Sequence, residues 1–308
     1  INLVICGSIY SKMKKIFDDK EEPLYGRATA RFKIRAFSTH TLKTILKDYN
    51  PDYEPDDLLT LYMVTGGVAK YVELLMSQGA YTKDSILKAV LSLGSYFIDE
   101  GRELLSDEFG RDYGNYFSVL SALAGGKTYR GDITSYVGFE TGGYLDKLET
   151  DFNIIRRVRP YLSGDQSRNV RYYLDDNFLG FWFRFIYKYR SAVEIGNMDY
   201  VRDKINADYE TYSGFVLEKW FRQSYSETGE YNIVTNYWKK GSGGAPGEDQ
   251  EIDLIAVNEA DRSVVIGECK RNPDKIRMKT LQEKSAGILS HLKGWKCTFV
   301  GLSLDNIG

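Results

Sequence analysis

Three residues in the last fifth of the chain have types and spacing that could do chemistry. Asp253 lies in Glu251-Ile252-Asp253-Leu254, and Glu268 and Lys270 lie in Gly267-Glu268-Cys269-Lys270. The second group ends an apolar run, Ser263-Val264-Val265-Ile266, that reads as a strand. Side chains along a strand alternate with a period of two, so Glu268 and Lys270 point to one face. A carboxylate and an ammonium so placed either neutralise each other as an ion pair or line a site.

The elements that must position them follow from alternation. Residues 208–227 read as a helix, and 232–238, 250–258, 263–271 and 297–303 as four strands, with a second helix at 276–294 between the last two. Lys239–Gly247 is rich in glycine and reads as a flexible hairpin loop between the first two strands. Upstream the pattern is helical from Ser38 to about Leu105. Ser38 and Thr39 serve as caps, Pro55-Asp56-Asp57 marks a helix start, and Gly66-Gly67 breaks one pattern into two helices. From Tyr113 a further unit reads as three helices and a β-hairpin at 161–176 around Gly164-Asp165-Gln166-Ser167, the order of a winged helix. The aromatic stretch 177–189 reads as an apolar core helix. Ile1–Ser8 reads as a buried strand that needs parallel neighbours, so the chain is expected to be a portion of a longer protein.

Bulk properties narrow the classes. With 308 residues, 43% hydrophobic and 27% charged, the chain has the composition of a soluble protein of two or three domains. A net charge of −2 excludes a uniformly basic nucleic-acid binder but leaves room for a local basic face. Three scattered cysteines and two histidines exclude a disulfide framework and a histidine-based metal site. No apolar run has membrane-spanning length and no signal peptide opens the sequence, so a cytoplasmic setting without membrane contact is expected.

The order helix, three strands, helix, strand, with Ile252-Asp253-Leu254 and Gly267-Glu268-Cys269-Lys270 on adjacent strands, resembles the PD-(D/E)XK nuclease superfamily. The resemblance implies Glu218, in Val216-Leu217-Glu218-Lys219-Trp220, as the first-helix acid and Gln282 as the polar residue of the later helix. It also implies Mg²⁺ or Mn²⁺ held by Asp253, Glu268 and the main-chain carbonyl of Cys269, a hard oxygen set. Lys270 would orient the attacking water or offset charge at the phosphate.

Most of the remaining chain is similar to archaeal-type AAA ATPases and their STAND-class relatives. Ile1–Ser8 looks like a sensor-1 strand with Ser8 at its polar tip. Pro23-Leu24-Tyr25-Gly26-Arg27 with Ile34–Phe37 looks like their LYGR segment and last core strand. Thr65-Gly66-Gly67-Val68-Ala69 looks like their lid motif, with Ala69 in place of proline. No phosphate loop is present. The expected fold is therefore α+β and multidomain: the edge of an ATPase core (1–37), a helical lid (38–110), a winged helix (111–190) and a nuclease-like α/β domain (191–308). Ser8, Arg27, Gly66 and Gly67 are nucleotide-associated on this resemblance. The resemblance further implies that the full-length protein binds ATP through an upstream phosphate-loop domain, with Arg27 near that nucleotide or one in a neighbouring subunit of a homo-oligomer. Lys147 on the third helix of the winged unit, Arg156, Arg157, Arg159, Arg168 and Arg171 would form a DNA-binding face; the alternative is a protein-contacting winged helix. Two functions stand side by side. One is a DNA-binding ATPase with a metal-dependent nuclease-like domain; the other is a regulatory ATPase whose C-terminal domains only bind DNA or protein.

Overall fold

The computed structural model describes residues 4–7, 10–109, 113–164, 166–239 and 250–308. The helices are α1 (Tyr10–Asp18), α2 (Thr39–Tyr49), α3 (Pro55–Thr65), α4 (Ala69–Ser77), α5 (Lys83–Val90), α6 (Tyr96–Phe109), α7 (Tyr113–Ala124), α8 (Arg130–Val137) and α9 (Gly142–Thr150). Strands β1 (Ile155–Val158) and β2 (Arg171–Leu174) follow. Next come α10 (Asn177–Phe181), a π-helical turn (Trp182–Tyr187), α11 (Arg190–Glu194) and the long α12 (Met198–Glu227). Strands β3 (Ile233–Lys239), β4 (Gln250–Asn258) and β5 (Ser263–Lys270), helix α13 (Met278–Leu289) and strand β6 (Lys296–Ser303) complete the order. This is a mixed α+β chain with two small sheets.

The chain divides into two compact units, each assembled from separated segments. The first comprises Ile1–Arg35, Leu93–Val158 and Arg171–Gly196. Three helices, α7 to α9, precede the antiparallel β1–β2 pair, in which Arg156 faces Tyr173 and Arg157 faces Tyr172. Its core is aromatic. Phe117 meets Trp182, Phe183 and Tyr187 edge to face, the arrangement ring quadrupoles favour. Gly101 on α6 leaves room for Trp182, since a Cβ there would lie 2.3 Å from the indole.

Several expectations are corrected in this unit. Val4–Gly7 and Ile34–Phe37 form no strand, and Val4, Phe32 and Ile34 are 90%, 91% and 95% exposed. A strand needs a ladder of hydrogen bonds to a neighbour, and among the described residues neither stretch pairs with a strand; the Phe37 N–H donates singly to the Gly67 carbonyl. The ATPase-core edge expected over 1–37 is thus represented by α1 and loops, and Ser8 lies outside the described residues. The hairpin expected at 161–176 has its first strand earlier, at Ile155–Val158; Pro160, which lacks an N–H, follows that strand, and Leu162 has φ of 65°. The helical pattern read from 83 onward is two helices, parted at Gly94 with φ of 74°.

The second unit comprises Ala36–Ser92, Arg159–Val170 and Asn197–Gly308. Its sheet has the order β3-β4-β5-β6, antiparallel except for the β5–β6 pair, which α13 connects. Ile255, Val257, Val264 and Ile266 on one face pack against Leu281 and Ile288 of α13. The alternate residues Leu254 and Ala256 are also fully buried, so the second face is covered too, and α12 packs against β3, β4 and β5. The buried residues of α12, Val201, Ile205, Tyr209, Tyr212, Val216 and Trp220 among them, recur every three to four positions along one side, while Arg202, Asp203 and Glu210 are exposed. Tyr62 of α3 meets Trp220 edge to face and its hydroxyl donates to Gln223, and the Glu227 carboxylate accepts from the Thr39 N–H at the start of α2. Ser38 caps α2 by accepting from the Thr41 N–H at 3.0 Å. The loop 159–170 lies along β3: the Tyr161 N–H donates to the Asn236 carbonyl and Trp238 Nε1 donates to Asn169. Residues 240–249, where the hairpin loop was expected, lie outside the described residues between two strands that do pair. Among the described residues no helix is long and apolar enough to cross a membrane.

Candidate metal centre at the ends of β4 and β5

The register of β4 with β5 pairs Leu254 with Gly267. The ladder is interrupted just beyond this pair, where β3 runs from Thr235 to Tyr237 against Ile255 to Ile252, and Asp253 and Glu268 lie at that irregularity. Asp253 and Glu268 are both 8% exposed. Lys270, two residues on, lies 3.4 Å from Asp253 Oδ2 and 3.4 Å from Glu268 Oε1. The two readings left open by the sequence therefore coexist: the ammonium pairs with both carboxylates, yet one cation is shared between two anions. Asp253 Oδ2 also accepts from the Cys269 N–H at 2.8 Å. Glu268 Oε2 is buried and has no hydrogen-bond partner among the described residues.

Helix α12 brings Glu218 to the same place. Burial, followed by the neighbouring Asp253 and, more weakly, Glu251, pushes its carboxyl up to about 8 against an ordinary 4.5, while Arg222 and Lys270 pull the other way. Burial lowers Lys270, but Asp253, Glu268 and Glu218 together outweigh it and leave the ammonium held above its ordinary range. Burial and then Asp253 raise the Cys269 thiol well above its usual value, so it stays protonated and inert.

Two participants escaped the sequence reading. Arg222, one turn beyond Glu218, lies 3.5 Å from Glu218 Oε2 and donates to the main-chain carbonyl of Asp253 at 2.7 Å. The i,i+4 spacing of Glu218 and Arg222 is a pattern that could have revealed it. Glu251, two residues before Asp253, adds to the negative field at Glu218.

Among the described residues no three acidic, histidine or cysteine side chains converge into a cage. The expected donor set needs only two side chains, Asp253 and Glu268, with a main-chain carbonyl. The partnerless buried oxygen of Glu268 fits such a ligand, and hard oxygen donors fit Mg²⁺ or Mn²⁺. Gln282 is exposed on α13, beside buried Leu281.

The other sequence-predicted residues are dispersed. Gly66 and Gly67 end α3 with φ of 58° and 80°, and the Gly67 carbonyl accepts from the Phe37 N–H at 2.7 Å. A Cβ on Gly67 would lie 2.7 Å from the Phe37 carbonyl oxygen, so backbone packing accounts for that glycine by itself. Arg27 is exposed in a turn after α1. Lys147 is exposed on α9. Arg156 pairs with Asp175 at 3.2 Å and Arg157 with Glu149 at 2.9 Å. Arg171 lies over the Tyr129 ring and donates to its hydroxyl. By strand alternation Arg156 and Arg171 share one face of the hairpin and Arg157 takes the other. Arg159 and Arg168 belong to the second unit, in the loop along β3.

Residues 182–283, which include Glu218, Asp253, Glu268, Lys270 and Gln282, match a family described as archaeal and bacterial proteins of unknown function (DUF234). The chain is similar to an uncharacterized protein of Methanocaldococcus jannaschii, with 33% identity over 279 residues, covering 87% of this chain and 59% of that protein. The chain therefore spans about three-fifths of that relative's length. No solved structure matches.

Proposed function

We propose that the Asp253–Glu268–Lys270 cluster binds a divalent cation and hydrolyses phosphodiester bonds in DNA, within a protein that binds ATP in the manner of AAA and STAND ATPases. The observation that carries this reading is the buried, partnerless Oε2 of Glu268. A carboxylate oxygen removed from water without a partner is strongly destabilising, and a cation is the group that relieves it. Asp253, Glu268 and the Cys269 carbonyl would hold Mg²⁺ or Mn²⁺, which when bound supplies Lewis acidity toward a phosphate oxygen and toward water. Lys270 keeps its positive charge and offers it where negative charge builds on the phosphate. Glu218 holds a proton near neutral pH, which makes it able to give or take one there.

The rest of the reading rests on resemblance and element order. Three helices followed by a two-stranded antiparallel sheet support a winged helix, with Lys147 on its third helix. The lid-like glycines, Gly66 and Gly67, and Arg27 would lie near nucleotide in the full-length protein. The test is nicking of supercoiled DNA by the purified chain in Mn²⁺. Cleavage abolished by chelator and by Glu268→Gln supports the reading; metal-independent or absent cleavage overturns it. A second reading, a regulatory ATPase whose C-terminal part binds protein without cutting, is favoured by the local pairing of Arg156 with Asp175 and Arg157 with Glu149.

A further inference from the structure

The residue after Lys270 is occupied elsewhere in the second unit. Arg271 Nη1 donates to Ser213 Oγ at 2.9 Å, and its Nη2 reaches both carboxylate oxygens of Asp56, at 2.9 and 3.0 Å. Asp56 opens α3 and is held from two more directions: the Tyr209 hydroxyl donates to it at 2.9 Å and Lys83 of α5 lies 3.6 Å away. Tyr209 also shares a hydrogen bond with fully buried Thr60, and the Lys83 ammonium sits 3.7 Å above its ring. Burial and then Asp56 push the Tyr209 phenol up, so it remains a donor. Arg271 and Asp56 side chains are only 19% and 24% exposed, so these charge-assisted bonds are shielded from water.

The consequence is geometric. Lys270 is fixed to the carboxylates and Arg271 to α3 and α12, so the end of β5 is pinned by adjacent residues to two sets of partners. Ser213 and Glu218 lie on the same helix, about 7.5 Å apart along its axis. Whatever fixes Ser213 against β5 also fixes how far Glu218 projects toward Asp253. We infer that Arg271 and Asp56 are positioning residues for the carboxylate centre, through which helices α3 and α5 set its geometry and its affinity for a divalent cation. The affinity half of this inference rests on the proposed metal site; the geometric half does not.

The experiment compares wild type, Arg271→Lys, Asp56→Asn, the double variant, and Val64→Ala, which thins the buried core of α3 without touching the network. Hydrogen exchange on the metal-free proteins reads the Cys269 amide, which donates to Asp253. Calorimetric titration reads Mn²⁺ affinity. Arg271→Lys and Asp56→Asn should each accelerate Cys269 exchange, leave the 281–288 stretch of α13 unchanged, and weaken Mn²⁺ binding about tenfold, as loss of an outer-shell partner does. The double variant should add little to either single one. Val64→Ala should lower the melting temperature without either effect. Equal exchange in Arg271→Lys and Val64→Ala would overturn the positioning role. Accelerated exchange in a protein whose wild type binds no Mn²⁺ would overturn the metal site and leave the positioning role standing.

Discussion

Replacing Glu218 by Gln tests the electrostatics of the centre without removing its shape. The carboxyl is raised to about 8 in the folded protein from an ordinary 4.5, first by burial and then by Asp253. A raised acid binds its proton more tightly folded than unfolded. Between these two values the native state retains a proton that the unfolded state has lost, so stability falls as pH rises through the window. Each unit is worth about 1.4 kcal/mol, which gives about 4 to 5 kcal/mol over the whole interval. Gln imitates the protonated form at every pH and carries no such slope. Urea unfolding in chelator from pH 5 to pH 9 should therefore show wild type losing stability relative to Glu218→Gln, with the gap flattening above pH 8. Groups that titrate elsewhere cancel in the comparison. Parallel curves, or a wild type that gains on the variant as pH rises, would refute the reasoning. Saturating Mn²⁺ should reduce the slope, because a cation beside Glu218 stabilises its charged form.

Three further outcomes are expected. Mn²⁺ at a hundred times its dissociation constant should stabilise wild type by about 2.7 kcal/mol in thermal unfolding, and Glu268→Gln should abolish that shift. Gly67→Ala, at φ of 80° and with its Cβ 2.7 Å from the Phe37 carbonyl, should destabilise by about 1–3 kcal/mol in denaturant titration. Duplex binding measured against salt should weaken when Arg156, Arg157 and Arg168 become Ala; unchanged affinity would favour the protein-binding reading.

The centre was legible where chemistry follows period and order. Alternation put Glu268 and Lys270 on one face, and two adjacent strands rich in β-branched residues brought Asp253 within reach of the same ammonium. Helix α12 was visible, but its stripe of buried residues does not say which elements cover it, here α2, α3 and three strands of the sheet. Arg271 and Asp56 are 215 residues apart, and no local pattern links them. The N-terminal apolar stretch read as a strand because its composition is that of one; composition supplies propensity, while pairing supplies the strand. The 159–170 loop looked like part of a hairpin because its turn residues are sound, and its attachment to β3 depends on tertiary contacts alone.

The segmented make-up of the second unit bears on how the chain can be synthesised. Helix α3 buries nine of its eleven residues, Asp57 to Thr65, and much of that surface is closed by α12. About ninety residues of the first unit, Leu93 to Gly196 less the loop along β3, are translated between Ser92 and Asn197. Between the end of α3 at Thr65 and the start of α12 at Met198 the ribosome, at ~5–20 residues per second, needs roughly 7 to 26 s, during which α3 stands uncovered. During that interval Leu58, Leu61 and Met63 have no finished core to enter. The first unit, whose last segment ends at Gly196, can close before the second begins its sheet. Synthesis in this order lets the first unit close before the second and leaves the nascent helices α2–α5 as the stretch most in need of a chaperone.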